Sequence, residues 1–92
     1  ATMISRGKEL IRICPSDSSK LEYSTDSGHN WFTRFNGNSN VGQFSDLLEN
    51  GKEILGTTSK GLFYATDGGT TGFYERGKQE VVAVNQDFDF KN

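Results

Sequence analysis

Residues 21–32 of this chain recur at 62–73. Leu21-Glu22-Tyr23-Ser24-Thr25-Asp26-Ser27-Gly28-His29-Asn30-Trp31-Phe32 lies against Leu62-Phe63-Tyr64-Ala65-Thr66-Asp67-Gly68-Gly69-Thr70-Thr71-Gly72-Phe73 without a gap, so that Leu, Tyr, Thr, Asp, Gly and Phe return 41 positions later. Upstream, Gly7-Lys8-Glu9-Leu10-Ile11 answers Gly51-Lys52-Glu53-Ile54-Leu55 at a spacing of 44. The first copy therefore carries three more residues than the second (44 − 41), and the turn formers Pro15-Ser16-Asp17-Ser18 are where the excess belongs, as expected of an insertion in a surface loop. A period of about 40–45 residues is the range of propeller blades. Helical repeats of that length would need long amphipathic runs at a 3.6-residue period, and the chain has none. The repeat unit is β.

Short segments punctuated by Gly, Asn, Asp and Ser predict the strands. Lys8 to Ile13 and Lys52 to Thr57 form one type, Lys20 to Thr25 and Gly61 to Thr66 the next, and Asn30 to Phe35 and Gly72 to Arg76 a third. Gln43 to Leu48 and Glu80 to Asn85 supply a fourth, the latter through the apolar run Val81-Val82-Ala83-Val84. Asn50-Gly51 is a two-residue hairpin signal, since both central positions of such a turn favour positive φ, and it sets Phe44–Leu48 antiparallel to Glu53–Thr57. A helix over Phe44–Glu49 is the competing expectation, although that stretch is too short to stand alone. The chain divides into a first repeat over 1–42, a second over 43–79 and an extra strand in 80–92, within a single β domain.

Composition narrows the function. Seven Phe, three Tyr and one Trp among 92 residues argue for an ordered chain, because aromatic burial offsets conformational entropy. Ten basic against twelve acidic residues give a net charge of −2, with no basic excess to meet a phosphate backbone, so no nucleic-acid partner is expected. No apolar run approaches the ~18 residues of a membrane-spanning helix, and no membrane partner is expected. Cys14 and His29 are single, which leaves no intrachain disulfide and too few ligands for a structural zinc site. Cys14 reads as a buried small hydrophobe rather than a nucleophile. No metal and no cofactor are expected, and the compartment stays undecided between secreted and cytoplasmic.

The segment Ser24-Thr25-Asp26-Ser27-Gly28-His29-Asn30-Trp31 fits the pattern Ser-x-Asp-x-Gly-x-x-Trp and resembles the Asp-box, the bacterial neuraminidase repeat. Asp67-Gly68-Gly69 resembles a second, degenerate box, in which Ala65 replaces the Ser and Gly72 the Trp, so that its aromatic anchor falls to Phe73 or Tyr74. The resemblance covers both repeats. It implies a hairpin between the third and fourth strands of a propeller blade and a structural role for Ser24, Asp26, Gly28, Trp31, Asp67, Gly69 and Phe73. The physical basis is plain: an Asp at the turn accepts backbone N–H bonds, the Gly takes positive φ, and the aromatic ring covers the hairpin.

Two catalytic readings follow from the resemblance, and neither is expected. A sialidase would need an arginine triad, a tyrosine nucleophile with a glutamate and an aspartate acid/base, whereas Arg6, Arg12, Arg34 and Arg76 are the only arginines and two blades cannot supply a convergent site. Small microbial ribonucleases carry a similar hairpin near a catalytic histidine, and His29 with Glu22 and Arg34 offers those residue types. The chain lacks the amino-terminal helices of that fold, and the repeat accounts for the same residues without catalysis.

Two blades cannot close a propeller of four to eight. The expectation is an all-β chain of two tandem antiparallel repeats, propeller-blade-like, that assembles with copies of itself, folds as a small sandwich or barrel, or belongs to a longer propeller. Repeats that cannot bury both faces invite self-association. A non-catalytic module that binds a glycan or a protein is the expected function, through a candidate surface of Tyr23, His29, Asn36, Asn38, Asn40, Tyr64 and Tyr74. The alternative is a structural or assembly subunit.

Overall fold

The computed structural model describes residues 1–77, and these are all-β. The expected strand at Glu80–Asn85 and the extra strand in 80–92 lie outside the described residues. Sheet one is an antiparallel meander of β1 (Met3–Arg6), β2 (Glu9–Ile13), β3 (Leu21–Ser24) and β4 (Phe32–Phe35). Sheet two repeats the order with β5 (Phe44–Asn50), β6 (Glu53–Thr58), β7 (Gly61–Ala65) and β8 (Tyr74–Gly77).

The first hairpin of each sheet turns on a Gly-Lys pair. Arg6 pairs with Glu9 and Asn50 with Glu53, which leaves Gly7-Lys8 and Gly51-Lys52 as the central residues. Gly7 and Gly51 have φ near 61° and 63°, the requirement of a two-residue turn with glycine first. The Asn50-Gly51 turn expected from sequence is thus shifted by one position: Asn50 ends β5, and Lys8 and Lys52 belong to turns rather than strands. Sequence reasoning also missed β1. Continuing the 44-residue offset upstream would have revealed it, since Met3-Ile4 then meets Leu47-Leu48.

The helix alternative over Phe44–Glu49 is overturned. Phe44 and Leu47 both face the core, three residues apart, because the β5–β6 register shifts between Phe44 and Asp46. A bulge at Ser45 therefore produces on a strand the spacing that would mark one face of a helix. The longer first repeat has its excess in the β2–β3 connection, residues 14–20, against the two residues 59–60 that join β6 to β7.

The sheets pack face to face. Sheet one contributes Ile11 and Leu21, fully buried, with Ile4, Ile13, Tyr23 and Phe35 against them; sheet two contributes Phe44, Leu47, Ile54, Phe63, Ala65 and Phe73. Period-2 alternation, corrected by the bulge in β5 and by another in β4, puts the strand residues of each set on one face of their sheet. At the seam three rings meet, Phe35–Phe73 and Phe44–Phe73 at 5.2 Å and Phe35–Phe44 at 5.9 Å between centroids, in the tilted arrangements aromatic pairs prefer.

Candidate functional site

Each sheet joins its third and fourth strands through an aspartate turn, and the two turns differ instructively. In sheet one the buried Ser24 hydroxyl donates to Asp26 Oδ1 at 2.7 Å and accepts from the Gly28 N–H at 2.8 Å. Asp26 also accepts from the Asn30 backbone N–H at 2.9 Å and its side-chain amide at 2.7 Å. These donors favour the charged form and hold the Asp26 carboxyl down at about 2, the Asn30 backbone N–H foremost, then Ser24 and the Asn30 amide. The Trp31 indole N–H closes the turn on the Gly28 carbonyl at 2.9 Å.

In sheet two Asp67 accepts from the Thr71 backbone N–H at 3.1 Å and from its hydroxyl at 2.6 Å, and the Thr71 hydroxyl is the main cause of its lowered pKa. Ala65 stands where Ser24 does and offers no hydroxyl, and Asp67 Oδ1 is buried without a hydrogen-bond partner among the described residues. Phe73, not Tyr74, takes the place of Trp31, since its ring lies against Gly69 as the indole lies against Gly28. Tyr74 pairs with Tyr64 as Phe32 pairs with Tyr23, so the offset after the turn is 42 and Gly72 is an inserted residue.

A second constellation is repeated in both sheets. The register of β3 with β4 shifts between Leu21 and Glu22, and that of β7 with β8 between Leu62 and Phe63, which makes Arg34 and Arg76 the extra residues of equivalent bulges. A bulge re-aims a side chain, and both arginines turn onto a tyrosine and a glutamate. Arg34 lies 4.1 Å over the Tyr23 ring and forms an ion pair with Glu9, and Arg76 lies 4.0 Å over Tyr64 and forms an ion pair with Glu53 at 2.6 Å. Guanidinium planarity suits it to stacking and to a carboxylate at once.

Among the described residues, only one of these clamps is closed. Arg34 also donates to the Gly68 carbonyl of sheet two at 3.0 Å, and its side chain is 10 % exposed. Gly68 has φ 75°, and a Cβ there would stand 2.8 Å from Nη1 of Arg34 and 2.9 Å from Nη1 of Arg6; glycine is what lets the turn seat on the arginines. Arg76 reaches no such carbonyl among the described residues, and its side chain is 36 % exposed. Beside it on the outer face of sheet two stand Leu48 and Tyr74, both exposed, and Leu55 and Tyr64, half-buried.

The residues expected to form one ligand surface divide among four places. Tyr23 is half-buried, packed against the core at the seam under Arg34. Tyr64 and Tyr74 stack at 5.8 Å on the outer face of sheet two. His29 lies exposed at the turn end, its Nδ1 2.7 Å from the Asp26 carbonyl. Asn36, Asn38 and Asn40 lie at the opposite end, in the link between β4 and β5, where Asn38 orders the chain by accepting from the Asn40, Val41 and Gly42 N–H groups. There they border clefts completed by Ser59 and Lys60. Sequence reasoning missed Glu53 and Arg76, although Glu9/Glu53 and Arg34/Arg76 are identical pairs at the repeat offsets.

The residue types considered for ribonuclease chemistry do not converge. Glu22 forms an ion pair with Arg12 on the outer face of sheet one at 2.9 Å, whereas Arg34 points through the other face into the seam. Among the described residues no group of three His, Cys, Asp or Glu is placed to hold a metal ion. Comparison with protein-family models, curated proteins and solved structures finds no match to this chain.

Proposed function

We propose that this chain is a non-catalytic repeat module of the Asp-box kind, and that it acts by docking a protein partner on the outer face of sheet two. The observation that carries this reading is the open clamp. Glu53, Tyr64 and Arg76 reproduce the Glu9, Tyr23 and Arg34 arrangement that receives the Gly68 turn across the seam. Leu48, Leu55 and Tyr74 occupy the positions of Ile4, Ile11 and Phe32 in the matching registers. The face is thus built like a seam, and the partner it suits is a further sheet of the same design.

The test is a chain in which a copy of residues 36–77 is inserted after Gly77, so that a third sheet is offered to the open face. The expected outcome is a higher melting temperature and protection of Tyr64 and Tyr74 from hydroxyl-radical oxidation. Unchanged oxidation of both tyrosines overturns the reading. The Tyr64–Tyr74 pair, half-buried and exposed respectively, favours a glycan as a second reading, because aromatic rings stack on sugar faces. Tyr64 and Tyr74 resonances that shift on titration with soluble oligosaccharides, without protection by the third sheet, would move the assignment to sugar.

A further inference from the structure

Resting on that docking reading, we infer that the partner is a second copy of this chain, whose sheet one supplies the outer face that closes the clamp. The seam within the chain joins unlike faces, the tyrosine face of sheet one to the opposite face of sheet two. Among the described residues one face of each kind is left over, the tyrosine face of sheet two, on which Leu62 is nevertheless buried, and the outer face of sheet one. Head-to-tail stacking would continue the established seam from copy to copy.

The outer face of sheet one carries the matching features. Met3, Leu10 and Trp31 occupy the positions of Leu47, Ile54 and Phe73, the residues that sheet two buries in the seam. Met3 is 49 % exposed, and Leu10 and Trp31 are half-buried, so these apolar groups lack the cover their counterparts have. Ser27 stands at the place of Gly68 and adopts the same left-handed conformation, φ 63° against 75°; among the described residues it is the only non-glycine residue to do so. Its carbonyl is therefore the counterpart of the one that receives Arg34, ready for Arg76 of the next copy.

Sterics and charge agree. Gly68 is crowded by Arg6 as well as Arg34, but on the tyrosine face of sheet two the position of Arg6 is held by Asn50. The shorter side chain leaves space for the Ser27 Cβ. Arg12 is already paired with Glu22 and lies 3.9 Å over Trp31, while Arg76 is paired with Glu53. The two faces meet with these charges satisfied, which limits the desolvation penalty. Arg12 and Glu22 nevertheless stand where sheet two has Gly56 and Phe63, so the contact between copies is weaker than the one within the chain and depends on concentration. A heterologous contact of this kind gives rings where its rotation closes and open strings where it does not.

The experiment uses the full chain and two variants at exposed positions, Leu48→Glu on one face and Met3→Glu on the other, each checked for a folded spectrum. Light scattering is expected to show wild-type mass rising with concentration above 10.2 kDa. Each variant alone is expected to stay monomeric, and a 1:1 mixture to form a dimer, because each variant retains the face the other lacks. Wild-type chain that stays monomeric to its solubility limit overturns the inference, whether Tyr64 is then open or covered within its own chain. Variants that fail to complement also overturn it, as does either variant that still self-associates alone, the mark of a like-with-like contact. Monomeric wild type together with tyrosine protection in the three-sheet chain sinks the second copy and leaves the docking reading standing, whereas loss of both results sinks both.

Discussion

Sheet one and sheet two hold the same arginine, tyrosine and glutamate in the same geometry, and only the neighbour of each set differs. Around Arg34 the set is closed by the Gly68 turn, and around Arg76 no described residue closes it. The difference teaches that the arrangement is not itself a site. It is structural where a turn of the right shape covers it, and docking is proposed at the copy that no described turn covers. Removing a buried, partnered guanidinium costs far more than removing an exposed one, because its partners are left buried without a donor, so identical residues in the two sheets should respond to mutation very differently.

The largest expected contrast is between the two arginines. Arg34→Ala leaves Glu9 and the Gly68 carbonyl in the seam without their donor and should cost about 3 kcal/mol in urea unfolding, whereas Arg76→Ala should cost less than about 1 kcal/mol in the monomer. Equal losses would break the comparison. Next come the turn residues: Gly68→Ala forces a Cβ against both arginines and should cost about 2 kcal/mol, while Ser27→Gly relieves a left-handed conformation and should gain about 1 kcal/mol. A Ser27→Gly variant no more stable than wild type in the same melt would remove the strain argument.

A smaller contrast concerns the serine that only one turn possesses. Ser24→Ala should lose about 1–2 kcal/mol, because it strips a buried hydroxyl from Asp26 Oδ1 and the Gly28 N–H, and Ala65→Ser should gain up to about 1 kcal/mol by giving Asp67 Oδ1 a donor. A destabilising Ala65→Ser would show that the site cannot admit the oxygen. The smallest effect is in pH. Asp26 titrates at about 2 in the folded chain, below the ~3.9 of an unfolded aspartate. Its contribution is therefore full above about pH 4 and disappears as pH falls through about 2. Carboxyl-carbon NMR should show the Asp26 midpoint rising toward the ordinary value in Ser24→Ala, and an unmoved midpoint would assign the shift to Asn30 alone.

Much of the fold was legible because local chemistry and repetition point the same way. The Asn50-Gly51 hairpin, legible to within one position, the two aspartate turns and the alternating strands between them each carry their signal within a few residues. What escaped depends on pairing across strands. β1 has four residues and no turn former before it, so periodicity alone does not mark it. The bulge at Ser45 makes Phe44 and Leu47 imitate a helical face. The candidate site was half visible, since Tyr64 and Tyr74 were singled out while Arg76 and Glu53 were not. Which copy of a repeated residue is the more exposed is decided by what packs beyond it, as Arg34 at 10 % and Arg76 at 36 % show.

The bulge at Arg34 carries one more implication. Because alternate positions along a strand face opposite sides, one supernumerary residue in β4 is what directs both Arg34 and Phe35 to the seam. Deleting a single position between Thr33 and Phe35 would restore plain alternation. The instruction that sets the two halves of this chain together is thus written partly in parity, in how many residues separate two bonds of a ladder, and a comparison that scores only residue identity would pass over it.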